Sequence, residues 1–264
     1  MAVRGGGELG SAVARLLFRE GIPVVVLERP EPLAVRRLVA FAAAVWDGVA
    51  EVEGVPGVRV GSAADAAGLL EEPRHVPLLV DPEARSLERL RPVVLVDARM
   101  LKRASPVSGS PGRLAVGLGP GFVAGRDVDA VVETQRGPEL GRVIWSGAAQ
   151  ADSAVPTPVQ GIDVDRVIRA PAAGAFRSRV SIGDLVAAGA VVGEIAGTPV
   201  GAPIGGLIRG LLGDGVSVAA GVKIGDVDPR GAAVDPGRIS DKGRAVAAGV
   251  LEAVLTAAPR PLSR

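Results

Sequence analysis

APAAGAFRSRVSIGDLVAAGAVVGEI, residues 170–195, and APIGGLIRGLLGDGVSVAAGVKIGDV, residues 202–227, are one phrase written twice. A constant offset of 32 sets Ala170 on Ala202, Pro171 on Pro203, Gly174 on Gly206, Arg177 on Arg209 and Gly183 on Gly215. Val186 then meets Val218, Gly189 meets Gly221, Gly193 meets Gly225, and acidic Glu194 meets acidic Asp226. A repeat of this period is one supersecondary unit used more than once. Two copies are too few for a solenoid, so they are expected to close on each other. Each copy breaks short apolar stretches with glycine turns, as at 182–184 and 188–190, which predicts short strands. The expected product is a small flattened barrel with quasi-twofold symmetry.

This stretch is similar to the biotinyl/lipoyl "hammerhead" modules, whose halves also carry a G-D-x-V-x-x-G turn. Gly183, Asp184, Val186 and Gly189 match that turn, whereas the second copy has Val216 where the aspartate would stand. In carriers of that class the modified lysine sits on the hairpin joining the halves. Here the junction, residues 196–200, reads AGTPV and has no lysine, so no covalent cofactor is expected.

Working outward to the N-terminal side, residues 1–4 form a minimal strand that runs into Gly5-Gly6-Gly7-Glu8-Leu9-Gly10. Gly5, Gly7 and Gly10 make a G-x-G-x-x-G. Leu9, Val13, Leu16 and Leu17 follow at helical spacing, with Gly21 as a stop. A buried strand over 23–27 ends in Glu28, 18 residues past Gly10. Strand, glycine loop, helix, strand and acid in this order predict a Rossmann-like domain. The glycines let a phosphate approach the backbone, the helix N-terminus offers free N–H donors, and Glu28 suits a ribose diol. The same glycines would also serve helix–strand packing alone. Arg4, directly before them, either favours a more anionic ligand or pairs with an acid.

Further buried strands are expected at 77–80 before Asp81, at 92–96 before Asp97, and at 114–118 and 129–132; residues 33–46 read as an apolar-faced helix. Asp81 and Asp97 stand at strand carboxyl ends, as ligand contacts or as caps. Lys102 and Arg103 form a basic pair after the second of these strands, either holding a phosphate or lying in a solvated turn. Gly117, Gly119 and Gly121 follow a strand and bring backbone close to something. Asp127, Asp129 and Glu133 crowd together, as a magnesium or substrate site or as local turns and surface charge. No catalytic residue and no metal ligand stands out.

With 264 residues, 48% of them hydrophobic, the chain can bury one large core or two modest ones. A net charge of +1 gives no field for nucleic acid or an acidic membrane. Of 30 basic residues only Lys102, Lys223 and Lys242 are lysines, and resistance to an arginine bias marks these positions. There is no cysteine, which excludes disulfides, thiolate metal sites and a persulfide carrier. His75 is the only histidine and sits in a turn-like segment, so a histidine triad or multi-histidine zinc site is not available. No apolar run approaches a membrane span and no leader is visible, so a cytoplasmic protein is expected.

Several segments together resemble one family along nearly the whole chain. They are VRGGGELGSAVARLL, PLAVRRLVAFAAAVWDGVAEVEGV, VDPEARS, VDARMLKR, GLGPGFVAGRDVDAVVETQRGPELGRVIW, RAPAAGAF, IRGLLGDGVSVAAGVKIGDVDPRG and ISDKGRAVAAGVLEAVL. The family is the YqeB-like accessory proteins of selenium-dependent molybdenum hydroxylases, grouped with the XdhC-related maturation factors. One departure is Pro138, where a histidine would be expected. The resemblance implies a Rossmann-like domain over 1–150, a hammerhead-like β module over 166–230 and a C-terminal helix over 239–258. It implies a maturation factor with a molybdenum hydroxylase as client, binding molybdenum cofactor or a dinucleotide. The expected contacts are Gly5, Gly7, Gly10, Glu28, Asp97, Lys102, Arg103, Gly119 and Gly121. An NAD(P)-dependent oxidoreductase and a non-catalytic scaffold are the alternative readings.

Overall fold

The structure is a computed structural model and describes residues 1–101, 114–152, 159–162 and 164–257. Its largest element is a nine-stranded sheet. In chain order the strands are β1 Ala2–Arg4, β2 Val25–Glu28, β3 Val49–Val52, β4 Val55–Val60, β5 Val76–Val80 and β6 Val94–Asp97. They continue with β7 Leu114–Leu118, β9 Ala130–Val132 and β10 Val143–Ile144, while β8 Val123–Ala124 and β11 Gly147–Ala148 form a separate pair. The spatial order is β10-β9-β7-β6-β1-β2-β5-β4-β3. The pairings from β9 to β4 are parallel, and both edge strands, β10 and β3, run antiparallel to their neighbours.

Side chains alternate across each strand, and the two faces bury different cores. Val3, Val26 and Val96 face α1 Glu8–Arg19 and α5 Asp241–Ala257. Ala2, Leu27 and Leu95 face α3 Ala63–Glu71 and α4 Leu87–Leu90. α1 is amphipathic as its spacing predicts, and Gly21, at φ +73, ends it. The remaining helix, α2 Ala44–Asp47, is a single turn capped by Gly48 at φ +77.

Residues 33–46 do not form the expected helix. Two 3₁₀ turns, Arg37–Val39 and Phe41–Ala43, precede α2. Val39, Ala40, Phe41, Ala42 and Ala44 are all fully buried, so the run needs no single apolar face. Besides its own short turns, its backbone is bound to the glycine loop and to α1. Ala42 N donates to Gly6 O at 2.9 Å, and Phe41 N donates to Ser11 Oγ at 2.8 Å.

The repeat forms two four-stranded antiparallel sheets. Its strands are β12 Val167–Arg169, β13 Gly174–Ser178, β14 Leu185–Val186, β15 Val191–Ile195, β16 Thr198–Gly201, β17 Gly206–Leu211, β18 Ser217–Val218 and β19 Lys223–Asp228. The orders are β12-β19-β17-β14 and β16-β15-β13-β18. Each sheet takes its middle strands from one copy and one edge strand, β14 or β18, from the other, so the copies exchange strands. Matched glycines adopt matched conformations: Gly174 and Gly206 have φ +147 and +153, and Gly189 and Gly221 have φ +78 and +79. The junction is a tight turn at Ala196 and Gly197, both at positive φ, between paired Ile195 and Thr198.

The fold-class expectation is therefore corrected. The chain is not a Rossmann-like domain followed by a hammerhead module and an appended helix. It is a large mixed sheet with antiparallel edges, accompanied by antiparallel sheets. The physical reason lies in the core: α5 is a covering helix of the large sheet, and one apolar cluster joins Val3, Val13, Val96 and Val116 to Val246, Val250 and Ala253. Glu53, in the β3–β4 turn, ties this closure by accepting from Ile239 N at 2.9 Å and Arg244 Nη2 at 2.6 Å. The repeat is also bonded to the N-terminal half, with Leu211 N donating to Val35 O at 2.7 Å and Arg37 Nε to Leu211 O at 2.8 Å.

Candidate functional site: a cleft at the carboxyl edge of the parallel strands

β1 lies between β2 and β6, and the chain leaves it in one direction and returns on the other side. A crevice opens at such a reversal, beyond the carboxyl ends of the strands. Here it is a cleft of about 700 Å³. Its lining includes Arg4, Gly5 and Gly7 after β1, Glu28 at the end of β2, Asp81 and Pro82 after β5, and Ala98 to Met100 after β6. Leu33 and Leu101, 41% and 43% exposed, form an apolar lip.

The three glycines of the fingerprint have different surroundings. Gly5 has φ +99, and a Cβ there would lie 3.0 Å from Ala98 O. A Cβ at Gly10 would lie 1.9 Å from Gly5 O, so this glycine lets α1 pack against the loop. Gly7 is different. It is the N-cap of α1, at φ −70, and a Cβ there would have nothing within 4 Å. Gly7 gives this helix end no side-chain cap, and Gly7, Glu8 and Leu9 line the cleft.

Glu28 is held by the loop it faces. Its Oε2 accepts from Gly6 N at 2.7 Å and its Oε1 accepts from Arg29 N at 2.8 Å. A carboxylate has about four acceptor sites, so two remain for hydroxyl donors. Burial pushes its pKa above the usual carboxylate value, against the pull of the Arg29 and Gly6 N–H groups. Ser11 secures the loop from beneath, donating to Gly6 O at 2.8 Å.

The opposite face of the sheet contributes arginines. Asp97 is fully buried and does not line the cleft; it lies behind it and fixes Arg99. Arg99 donates from its backbone N at 3.1 Å, and its Nη2 meets Asp97 Oδ2 at 2.5 Å. Asp81 caps the turn that follows β5, accepting from Arg85 N at 3.0 Å and Ser86 N at 2.7 Å. Arg4, missing from the expected contacts, lies in the wall beside these groups. Its signal was its place directly before the glycines.

The structure thus brings Gly5, Gly7 and Glu28 together at one cleft, with Gly10 packed behind them. It does not bring Gly119 and Gly121 there. Gly119, at φ +72, makes room for Thr134 and for the Met100 side chain, and Gly121 lies in the same turn at φ +107. Lys102 and Arg103 lie outside the described residues. The three crowded acids are local fasteners: Asp127 accepts from Val123 N, Asp129 from Ala115 N, and Glu133 from Thr134, Gln135 and Gln150 N. Among the described residues no group of three or more His, Asp or Glu is placed to hold a metal ion. Among the same residues no helix is long and apolar enough to cross a membrane.

No family model matches the chain. Among curated proteins it is 45% identical over 255 residues to the uncharacterized protein YqeB of Escherichia coli (strain K12). That alignment covers 97% of this chain and 47% of the relative, so the chain spans about half the length of the curated relative it matches. Among solved structures it is similar to a succinylglutamate desuccinylase/aspartoacylase from Rhodobacter sphaeroides, at 24% identity over 24% of this chain and 22% of that one, with a TM-score of 0.23. An aspartoacylase family protein from Mesorhizobium loti aligns over 86% of this chain and 84% of its own, at 13% identity and a TM-score of 0.27. These names are hydrolase names, and none of the three relatives is named for molybdenum hydroxylases. The maturation-factor expectation, with its hydroxylase client, is corrected on that finding. The TM-scores are too low to carry the hydrolase activity over in its place.

Proposed function

We propose that this chain is a YqeB-type ligand-binding unit whose cleft takes a dinucleotide. The pyrophosphate rests on Gly7 and the N-terminus of α1, and a ribose diol donates to Glu28. The 45% identity over 255 residues supports the YqeB-type assignment. The observation that carries the cleft reading is the contrast among Gly5, Gly7 and Gly10. Two of them are required by packing, and the third leaves open space at an uncapped helix end inside a cleft. Glycine is not needed at Gly7 for its backbone, which is at an ordinary φ. A phosphate approaching the N–H groups needs the space that a side chain would fill. Glu28, on the adjacent parallel strand, stands where a carboxylate meets ribose hydroxyls in this arrangement.

Net charge +1 favours a small ligand over nucleic acid, and a cysteine-free chain suits the cytoplasm, where we place it. Calorimetry with NAD⁺ and with ADP tests the reading. The parent is expected to bind both. Gly7→Val is expected to keep the fold, by circular dichroism, and to lose binding at least a hundredfold. Equal affinity in parent and variant overturns the reading.

A further inference from the structure

Arg4 is the last residue of β1 and is 9% exposed. Its position on the strand puts it on the face of Ala2, opposite the glycine loop and α1. Among the described residues its guanidinium makes one hydrogen bond, from Nη2 to Pro82 O at 2.9 Å, and no ion pair. The buried acid beside it in register, Asp97, is taken by Arg99. The nearby Asp81 is taken by backbone N–H groups. A guanidinium has five N–H donors, and leaving buried donors unpaired is costly. The remaining donors of Arg4 belong to a side chain that lines the cleft.

From this geometry we infer that Arg4 is the anchor of a second anion subsite, and that the half of the ligand lying on the Ala2 face carries a carboxylate or a phosphate. The inference rests on the proposed cleft reading and extends it from the α1 side to the opposite side of the sheet edge. Arg99 lines the same wall with its charge paired to Asp97. Burial, and then the charge of Arg99, push the Arg4 pKa below the usual arginine value, against the pull of Asp97, Asp81 and Glu83. A planar fork suits either oxyanion.

Two ligand pairs separate the possible sources of the oxyanion: nicotinic acid adenine dinucleotide against NAD⁺ for carboxylate, and ATP against ADP for phosphate. Calorimetry on the parent is expected to show at least tenfold tighter binding of the more anionic member in one pair. Arg4→Gln is expected to erase that preference, weakening the more anionic member at least tenfold more than its NAD⁺ or ADP counterpart. Arg4→Lys keeps the charge without the fork and is expected to retain part of the preference, which covers the case in which the glutamine variant does not fold. A preference absent from both pairs, or surviving in Arg4→Gln, overturns the inference. Arg4-dependent binding of the anionic members alone, with no binding of NAD⁺ or ADP and no effect of Gly7→Val, sinks the glycine-loop reading and leaves the Arg4 subsite standing. If none of the four ligands binds, both fall.

Discussion

The glycine loop and the repeat use the same residue in opposite ways. In the loop, the three fingerprint glycines do three jobs: Gly5 makes a turn at φ +99, Gly7 leaves open space, and Gly10 admits a neighbouring carbonyl. In the repeat, glycines 32 residues apart do one job twice, as Gly174 and Gly206 do at φ +147 and +153. The loop is asymmetric because one of its glycines opens on the cleft while the other two pack. The repeat is symmetric because each sheet must accept an edge strand from the other copy. Asymmetry among like residues therefore marks the candidate site here, and symmetry marks the repeat.

The sharpest way to break this contrast is at Gly10. A methyl group there meets Gly5 O at 1.9 Å, so Gly10→Ala is expected to cost about 3 kcal/mol or more in denaturant unfolding. Gly7→Ala, three residues away, is expected to cost about 1 kcal/mol at most. Similar losses at both positions would erase the distinction between packing and open glycines. In the repeat, Phe176 and its counterpart Ile208 are both fully buried. Phe176→Ala is expected to cost about 3–5 kcal/mol and Ile208→Ala about 2–5 kcal/mol. A small loss at one and a large loss at the other would show that the symmetry of the strands does not extend to their energetics.

A smaller effect concerns Glu28. Its carboxyl pKa is raised, so it takes up a proton earlier than an ordinary glutamate as pH falls. Dinucleotide affinity is expected to decline as pH drops through a value above about 4.3, with Glu28→Gln removing that dependence and about tenfold of affinity. A flat affinity profile over pH 4–7 would remove Glu28 from the site.

The smallest effect is expected at Asp241, at the start of α5. Its hydrogen bond with Arg136 lowers its pKa to about 2. The sign is that of a depressed carboxylate: its contribution is full above the unfolded value of about 3.9 and is lost as pH falls towards 2. Because the Asp241 side chain is 71% exposed, Asp241→Asn is expected to cost no more than about 1 kcal/mol at pH 7, vanishing in acid.

Local elements were legible because a local rule governs them. α1 follows from its amphipathic spacing and its stop at Gly21, and the strands before Asp81 and Asp97 follow from short apolar runs. Residues 33–46 are illegible to spacing because burial on every side, with backbone bonds to Gly6 and Ser11, leaves an apolar run with no informative period. The place of α5 was illegible for a different reason. Its apolar positions state that it is covered, but not by which sheet. At the cleft, Gly7 and Glu28 were readable from spacing, whereas Asp97 lies behind Arg99 and Arg4 turns to the other face. Those assignments depend on which strands lie side by side.

The covering of the large sheet by α5 also sets an order of events during synthesis. β9 ends at Val132 and α5 ends at Ala257, a gap of 125 residues. At about 5–20 residues per second, a ribosome needs roughly 6–25 s to cross that gap. Throughout that time the α5-facing side of β7 and β9, with Val116 and Val132, has no permanent cover. The nascent chain thus carries a sticky, half-finished surface through the whole of that interval.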